Sequence, residues 1–237
     1  MVISMGSGAT LYSTREAAAQ LGVSTRRVRE LAARGVLDSV GDGFRLYVTG
    51  DSIRRFQTGG RRAGRPFSPR VSFAALYMIC GEETVWLSAS ERSRLKRRLV
   101  SFDVPRLLES CRGRAHVREF WCRENRLGLV LRTIRATAAT GDLADGFGLT
   151  GGGTVEGYIP DEVLRGLIGQ ARLRSDFRPV NVRLRVASFM PPGEGDMPLG
   201  VCAADLAGSS DVRERAAGEL EVGRMLERFK RDSGGEE

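Results

Sequence analysis

Apolar positions in residues 10–57 recur at helical spacing in two short runs, then at strand spacing, then at helical spacing again. Ala17, Ala18 and Leu21 form the packing face of the first run. Val28 and Leu31, three apart and joined by Ala32, form that of the second. Ser13 with Glu16 three residues later has the spacing of a capping box. Gly22 can take the positive φ that ends a helix, Val23 points back into the core, and Ser24 caps a second helix from Thr25 to about Arg34. Gly35 stops that helix, and Val36-Leu37 packs its exit. Residues 37–48 hold two apolar runs around Gly41-Asp42-Gly43, a hairpin signal with Phe44, Leu46 and Val48 on one side and Arg45 and Tyr47 on the other. TGDSIRRFQ predicts a short third helix capped near Asp51 or Ser52.

Residues 58–70 break this periodicity with glycine, proline and arginine, and read as a basic linker. Beyond it, residues 71–231 alternate helix and strand patterns. VSFAALYMIC (71–80) predicts a buried helix, and SASERSRLKRRLV (88–100) a basic helix with a Ser88/Glu91 capping box. VPRLLES (104–110) adds a short helix, AHVREFWC (115–122) a strand, and residues 123–139 a further helix. Residues 141–153 form a glycine-rich loop with neither the Gly-Lys-Ser/Thr of a phosphate-binding loop nor a strand and helix to flank it. TVEGYIP (154–160) reads as a strand whose Pro160 starts the helix DEVLRGLIGQARL. PVNVRLRVASF (179–189) has the period-two signature of a half-buried strand. LGVCAADLA (199–207) reads as an apolar strand leading into a helix start, and residues 211–231 as an amphipathic helix capped by Asp211. The fold class expected is α+β (mixed α/β): a winged helix-turn-helix over 10–57 and a larger mixed α/β domain over 71–231.

Composition narrows the function classes. No apolar run approaches the roughly 18 residues of a membrane span, and the N-terminus lacks the basic and apolar blocks of a secretory signal. A cytoplasmic protein is expected. The four cysteines lack CxxC spacing, and with His116 the single histidine there is little material for a Cys/His zinc site. Buried structural thiols, an exposed or strand position for His116, and no cofactor are expected. No nucleophile–base pair stands out, so no enzymatic activity is expected. Asp205, Asp211, Arg213 and Arg215 read as helix caps and a solvated face. Lys+Arg outnumber Asp+Glu by 37 to 29, almost all of it arginine, the side chain suited to phosphate and guanine edges.

Placement gives that charge meaning. Helix, tight turn, arginine-bearing helix, β-wing and helix together describe a winged helix-turn-helix. Residues 12 to 24, YSTREAAAQLGVS, resemble the MerR/excisionase-type DNA-binding family, whose pattern is a tyrosine followed by Ser/Thr-x-x-Glu-Ala-Ala-x-x-Leu-Gly-Val-Ser/Thr. The resemblance implies that the second helix enters the major groove. Ser24, Thr25, Arg26, Arg27 and Arg29 are then candidates for base and phosphate contacts, with Arg45 on the wing. Arg61, Arg62 and Arg65 of the linker are further candidates, Gly64-Arg65-Pro66 being like part of an AT-hook.

A second resemblance covers most of the remaining chain. GRPFSPR (64–70), WLSASERSRL (86–95), EGYIP (156–160), CAADLA (202–207) and Asp211-x-Arg213-x-Arg215-Ala216-Ala217-Gly218 look like actinobacterial proteins related to AbiEi-type antitoxins. That resemblance implies an autorepressing antitoxin of a type IV toxin–antitoxin pair. Its partners would be its own operator and, directly or functionally, a nucleotidyltransferase-like toxin; a homodimer or cooperative binding on paired half-sites is a further expectation. A stand-alone or phage-type regulator with a C-terminal protein- or ligand-binding domain is the alternative.

Overall fold

In the computed structural model the chain divides into two compact units, Met1–Gly64 and Arg65–Glu237. The structure describes residues 3–4, 10–33, 35–41, 46–50, 52–53, 56, 66–138, 140, 143–149 and 153–234. The molecule is an α+β protein, with a helix-turn-helix in the first unit and a larger helix-and-sheet second unit.

The first unit begins with strands β1 (Ile3–Ser4) and β2 (Thr10–Ser13), followed at once by helix α1 (Thr14–Leu21). Ser13 therefore has two roles. It ends β2 opposite Tyr47, and its hydroxyl accepts from the Glu16 amide at 3.3 Å while its own amide donates to Glu16 Oε2 at 2.9 Å. Helix α2 (Thr25–Ala33) follows, then β3 (Ser39–Gly41) and β4 (Leu46–Thr49), which pair as an antiparallel hairpin. Its turn, with Phe44 and Arg45, lies outside the described residues. Sheet order is β1-β2-β4-β3, so the wing strand β4 is held on its other side by β2. Beneath it, Ala17, Val28, Leu31, Leu37, Val48 and Ile53 form the core. The third helix begins at Gly50 and is capped by Thr49, whose hydroxyl accepts from the Ser52 amide, rather than by Asp51 or Ser52. Ser52 is buried, and its hydroxyl donates to the Thr49 carbonyl.

The second unit has three layers. Its sheet, in the order β5-β8-β7-β6, comprises β5 (His116–Phe120), β6 (Arg135–Ala136), β7 (Val155–Pro160) and β8 (Val182–Ala187). β7 and β8 run parallel, as a strand–helix–strand crossover requires; the outer pairs are antiparallel. One face packs Phe120, Ile159, Val182 and Leu184 against Val130 of α6 (Glu124–Thr133) and Leu164 and Leu167 of α8 (Asp161–Ala171). The other lies under α3 (Pro69–Ile79), α4 (Ala89–Val100), α5 (Val104–Cys111), α9 (Leu199–Leu206) and α10 (Val212–Gly234), with Tyr158 and Ala187 joining their core. Covered on both faces, β7 is buried from Val155 to Ile159.

Three sequence expectations need correction. The helix expected over 123–139 ends at Thr133, because Arg135 and Ala136 leave it to pair with Tyr158 and Gly157. The glycine-rich loop contains one helical turn, α7 (Leu143–Gly146). LGVCAADLA is helical from Leu199 to Leu206, not a strand. Its alanines and leucine are good helix formers, and it is apolar because Gly200 to Leu206 are all buried.

Close helix crossings explain two glycines. A Cβ on Gly200 would stand 2.1 Å from the Leu76 carbonyl oxygen, and one on Gly218 would stand 2.3 Å from the Ala207 nitrogen. Both obstacles are backbone, so neither can yield without moving a helix. Gly218→Ala is expected to destabilise the second unit by about 1–3 kcal/mol in urea unfolding despite alanine's better helix propensity. A neutral or stabilising result would contradict this close packing.

Candidate nucleic-acid interface

The turn between α1 and α2 is built by backbone geometry. Gly22 sits at φ 65° and its amide donates to the Ala18 carbonyl, as does the Val23 amide at 3.1 Å. The Ser24 hydroxyl then accepts from the Arg27 amide at 3.1 Å and starts α2. Gly35, also at φ 65°, ends that helix, and the Val36 amide donates back to Leu31 at 2.8 Å. Both reversals use the left-handed conformation that only glycine adopts without a Cβ penalty.

Burying Val28 and Leu31 fixes what α2 shows to solvent. At about 100° per residue, Arg26 and Glu30 stand near the centre of the outward face. Arg27 and Arg29 flank them on opposite sides. Ser24, Thr25, Arg26, Arg27 and Arg29 are all exposed. Arg26 Nε donates to Glu30 Oε1 at 3.1 Å, and Arg27 Nη1 to Glu30 Oε2 at 3.2 Å. The Arg26 side chain keeps 89% of its accessible surface against 46% for Arg27, so it is much the more exposed of the two. Exposed ion pairs at helical spacing contribute only about 0.3–0.5 kcal/mol each. Glu30 thus holds two guanidiniums ready without locking them. Arg29 has no acidic partner among the described residues. Arg45, Arg61, Arg62 and Arg65 lie outside the described residues.

Arg15, exposed on the first turn of α1, went unnoticed in the sequence because it falls inside the capping-box motif. Residues 1–64 carry ten arginines against five acidic residues, a net +5 of the chain's +8 in about a quarter of its length. That asymmetry was available from the sequence and points to a polyanion bound by this unit.

The second unit uses its charges differently. Asp205, expected at a helix cap, is buried at 1% exposure near the end of α9. It pairs with Arg114, accepts from Tyr158 Oη at 2.8 Å and Thr137 Oγ1 at 2.6 Å, and lies 3.1 Å from Arg185 Nη1. Burial opposes its ionisation, but Arg185 and Arg114 outweigh it and hold the carboxyl below the usual aspartate range. Arg185 also donates to Glu156 at 2.7 Å, and Glu156 and Glu119 both bind Arg183 at 3.2 Å. Glu119, Arg183 and Glu156 are direct cross-strand partners on β5, β8 and β7. The arginines of PVNVRLRVASF therefore enter a charge network beneath α9. Asp211, by contrast, does cap its helix, accepting from the amides of Arg213 and Glu214.

Cys111, Cys122 and Cys202 are buried free thiols, and burial pushes Cys111 up to about 12. His116 is exposed on β5. Among the described residues no group of His, Cys, Asp or Glu is arranged to hold a metal, and no helix is long and apolar enough to cross a membrane.

The sheet-braced helix pair with its arginine-rich second helix is a helix-turn-helix. Residues 11–61 match the helix-turn-helix domain family, a match that suggests a DNA-binding regulator. Comparison of the whole chain with curated proteins and with solved structures finds no match.

Proposed function

We propose that this protein is a sequence-specific transcriptional repressor of its own operon and the antitoxin of a type IV toxin–antitoxin pair, acting by binding rather than by catalysis. The observation that carries DNA recognition is α2, buried on one side through Val28 and Leu31 and presenting Arg26, Arg27 and Arg29 on the other. Laid in a major groove, such a helix directs Arg26 towards base edges and sends Arg27 and Arg29 towards the phosphates of opposite walls. The wing residue Arg45 and the linker residues Arg61, Arg62 and Arg65 add backbone and minor-groove contacts in this reading. The antitoxin role rests on the likeness of residues 64–218 to AbiEi-type proteins.

Purified protein should retard DNA from upstream of its own gene, with affinity falling steeply as salt rises. Co-expression should relieve the growth arrest caused by a neighbouring nucleotidyltransferase-like gene. Salt-insensitive or absent DNA binding would remove the first half of the proposal, and an unrelieved arrest the second.

The alternative, a regulator whose second unit senses a small ligand, is favoured by one feature. A groove of about 750 Å³ opens between the end of α3, α4 and α10, lined by Met78, Cys80, Glu82, Arg92 and Arg228 among others. Its size is that of a ligand site. A metabolite that changes operator affinity without the toxin present would favour this alternative.

A further inference from the structure

The second unit carries a basic face separate from its buried network. Between residues 92 and 108 there are six cationic side chains and one carboxylate, Asp103. The Asp103 side chain is occupied at the start of α5, accepting from the Arg106 amide at 2.8 Å. On α4, Leu95 and Leu99 are buried, which turns Arg94, Arg97 and Arg98 outward together at i, i+3 and i+4. None of the three has an acidic partner among the described residues, unlike Arg70, which Glu91 holds at 2.8 Å.

Two guanidiniums here are held in place by aromatic rings. Arg98 lies 4.7 Å above Phe67, Phe67 stacks on Phe102 at 6.0 Å with 10° between ring planes, and Arg106 lies 4.5 Å from Phe102. Both rings are buried while both arginines are exposed. The rings thus order Arg98 and Arg106 without neutralising them. Guanidiniums fixed in this way and free of carboxylates suit phosphate oxygens, which they can bind through two parallel hydrogen bonds. Phe67 is also the third residue of this unit, two residues after the end of the arginine-rich stretch that follows the helix-turn-helix.

We infer that Arg94, Arg97, Arg98 and Arg106 form a second DNA-contacting surface, which grips the phosphate backbone of duplex flanking the site read by α2. This inference rests on the DNA-binding reading of the first unit. Its contacts are to backbone alone: they add affinity and lengthen the protected duplex without adding base preference. Charge complementarity and the entry of the chain at this face favour DNA over an acidic protein.

The test uses full-length protein with two duplexes carrying the operator half-site, one of about 12 base pairs and one of about 40. The double variant Arg94→Ala/Arg97→Ala removes exposed side chains that support no core residue. At about 0.1 M salt it should bind the long duplex roughly tenfold more weakly, with a slope of log K against log salt shallower by about 2. Binding to the short duplex should be unchanged, and Arg94→Lys/Arg97→Lys should restore most of the loss. If the wild type binds both duplexes and the alanine variant matches it on each, this inference is overturned while the parent reading stands. Failure of the wild type to bind either duplex overturns both. An alanine variant impaired only on a structured RNA assigns the face to RNA and overturns the inference.

Discussion

Asp205→Asn is expected to cost the second unit about 3–5 kcal/mol, the usual effect of removing one partner from a buried ion pair. Arg114 is almost fully buried and Arg185 keeps 13% of its side-chain surface, so neither can turn to water once the charge is gone. Asparagine keeps the shape and some hydrogen bonds to Tyr158 and Thr137, yet Arg114 would then have no carboxylate beside it and Arg185 only Glu156. Trp86 and Trp121, the chain's two tryptophans, both lie in the second unit, so their fluorescence in urea follows its unfolding selectively. Asp176→Asn is the control. Its pair with Arg174 is more than half exposed and should contribute under about 1 kcal/mol. Equal midpoints for the two variants would refute the structural role given to the network.

The same network fixes the direction of the pH dependence. Asp205 has a folded-state pKa below its ordinary value, so its contribution to stability is complete above the usual aspartate range. It is lost as pH falls below about 4. Acid should therefore unfold the second unit of the wild type, and the slope should be smaller in Asp205→Asn.

How legible all this was in the sequence depends on where the determining interaction lies. The helix-turn-helix could be read closely because its signals are local: Ser13 with Glu16, Gly22, Ser24 and Gly35 act within one turn of themselves. The strand Thr10–Ser13 was invisible for the opposite reason. Its partner, β4, is about 35 residues away, and four residues carry too short an alternation to show a period. Arg135–Ala136 is a strand only because β7 lies beside it. LGVCAADLA misled because an apolar run has no period, and only its place between α3 and α10 makes it a buried helix. Arg183 and Arg185 alternate with apolar residues as surface arginines do. Nothing local says that α9 will cover them, or that Asp205 will meet Arg185 there. In the proposed interface the residue types on α2 were readable, whereas the sharing of Glu30 between Arg26 and Arg27 required coordinates.

That sharing leads to the largest effects expected on DNA binding. Arg26 is central on α2 and far more exposed than Arg27, so Arg26→Ala should weaken operator binding by about 1–3 kcal/mol and relax preference at one or two base pairs. Arg27→Ala and Arg29→Ala remove the flanking cations. Each should weaken operator and unrelated DNA alike and reduce the salt slope by about 1. Glu30→Gln should act in the opposite sense. It removes a carboxylate from the centre of a surface that faces phosphates and frees both guanidiniums, so binding to unrelated DNA should rise more than binding to the operator. The weakness of the two exposed pairs means that none of these changes should move the unfolding midpoint appreciably. The readout is competition between operator and random duplex at several salt concentrations. If Arg26→Ala lowers both affinities equally while Arg29→Ala alters base preference, α2 lies in the groove rotated from the orientation proposed, with Arg29 towards the bases and Arg26 on the backbone.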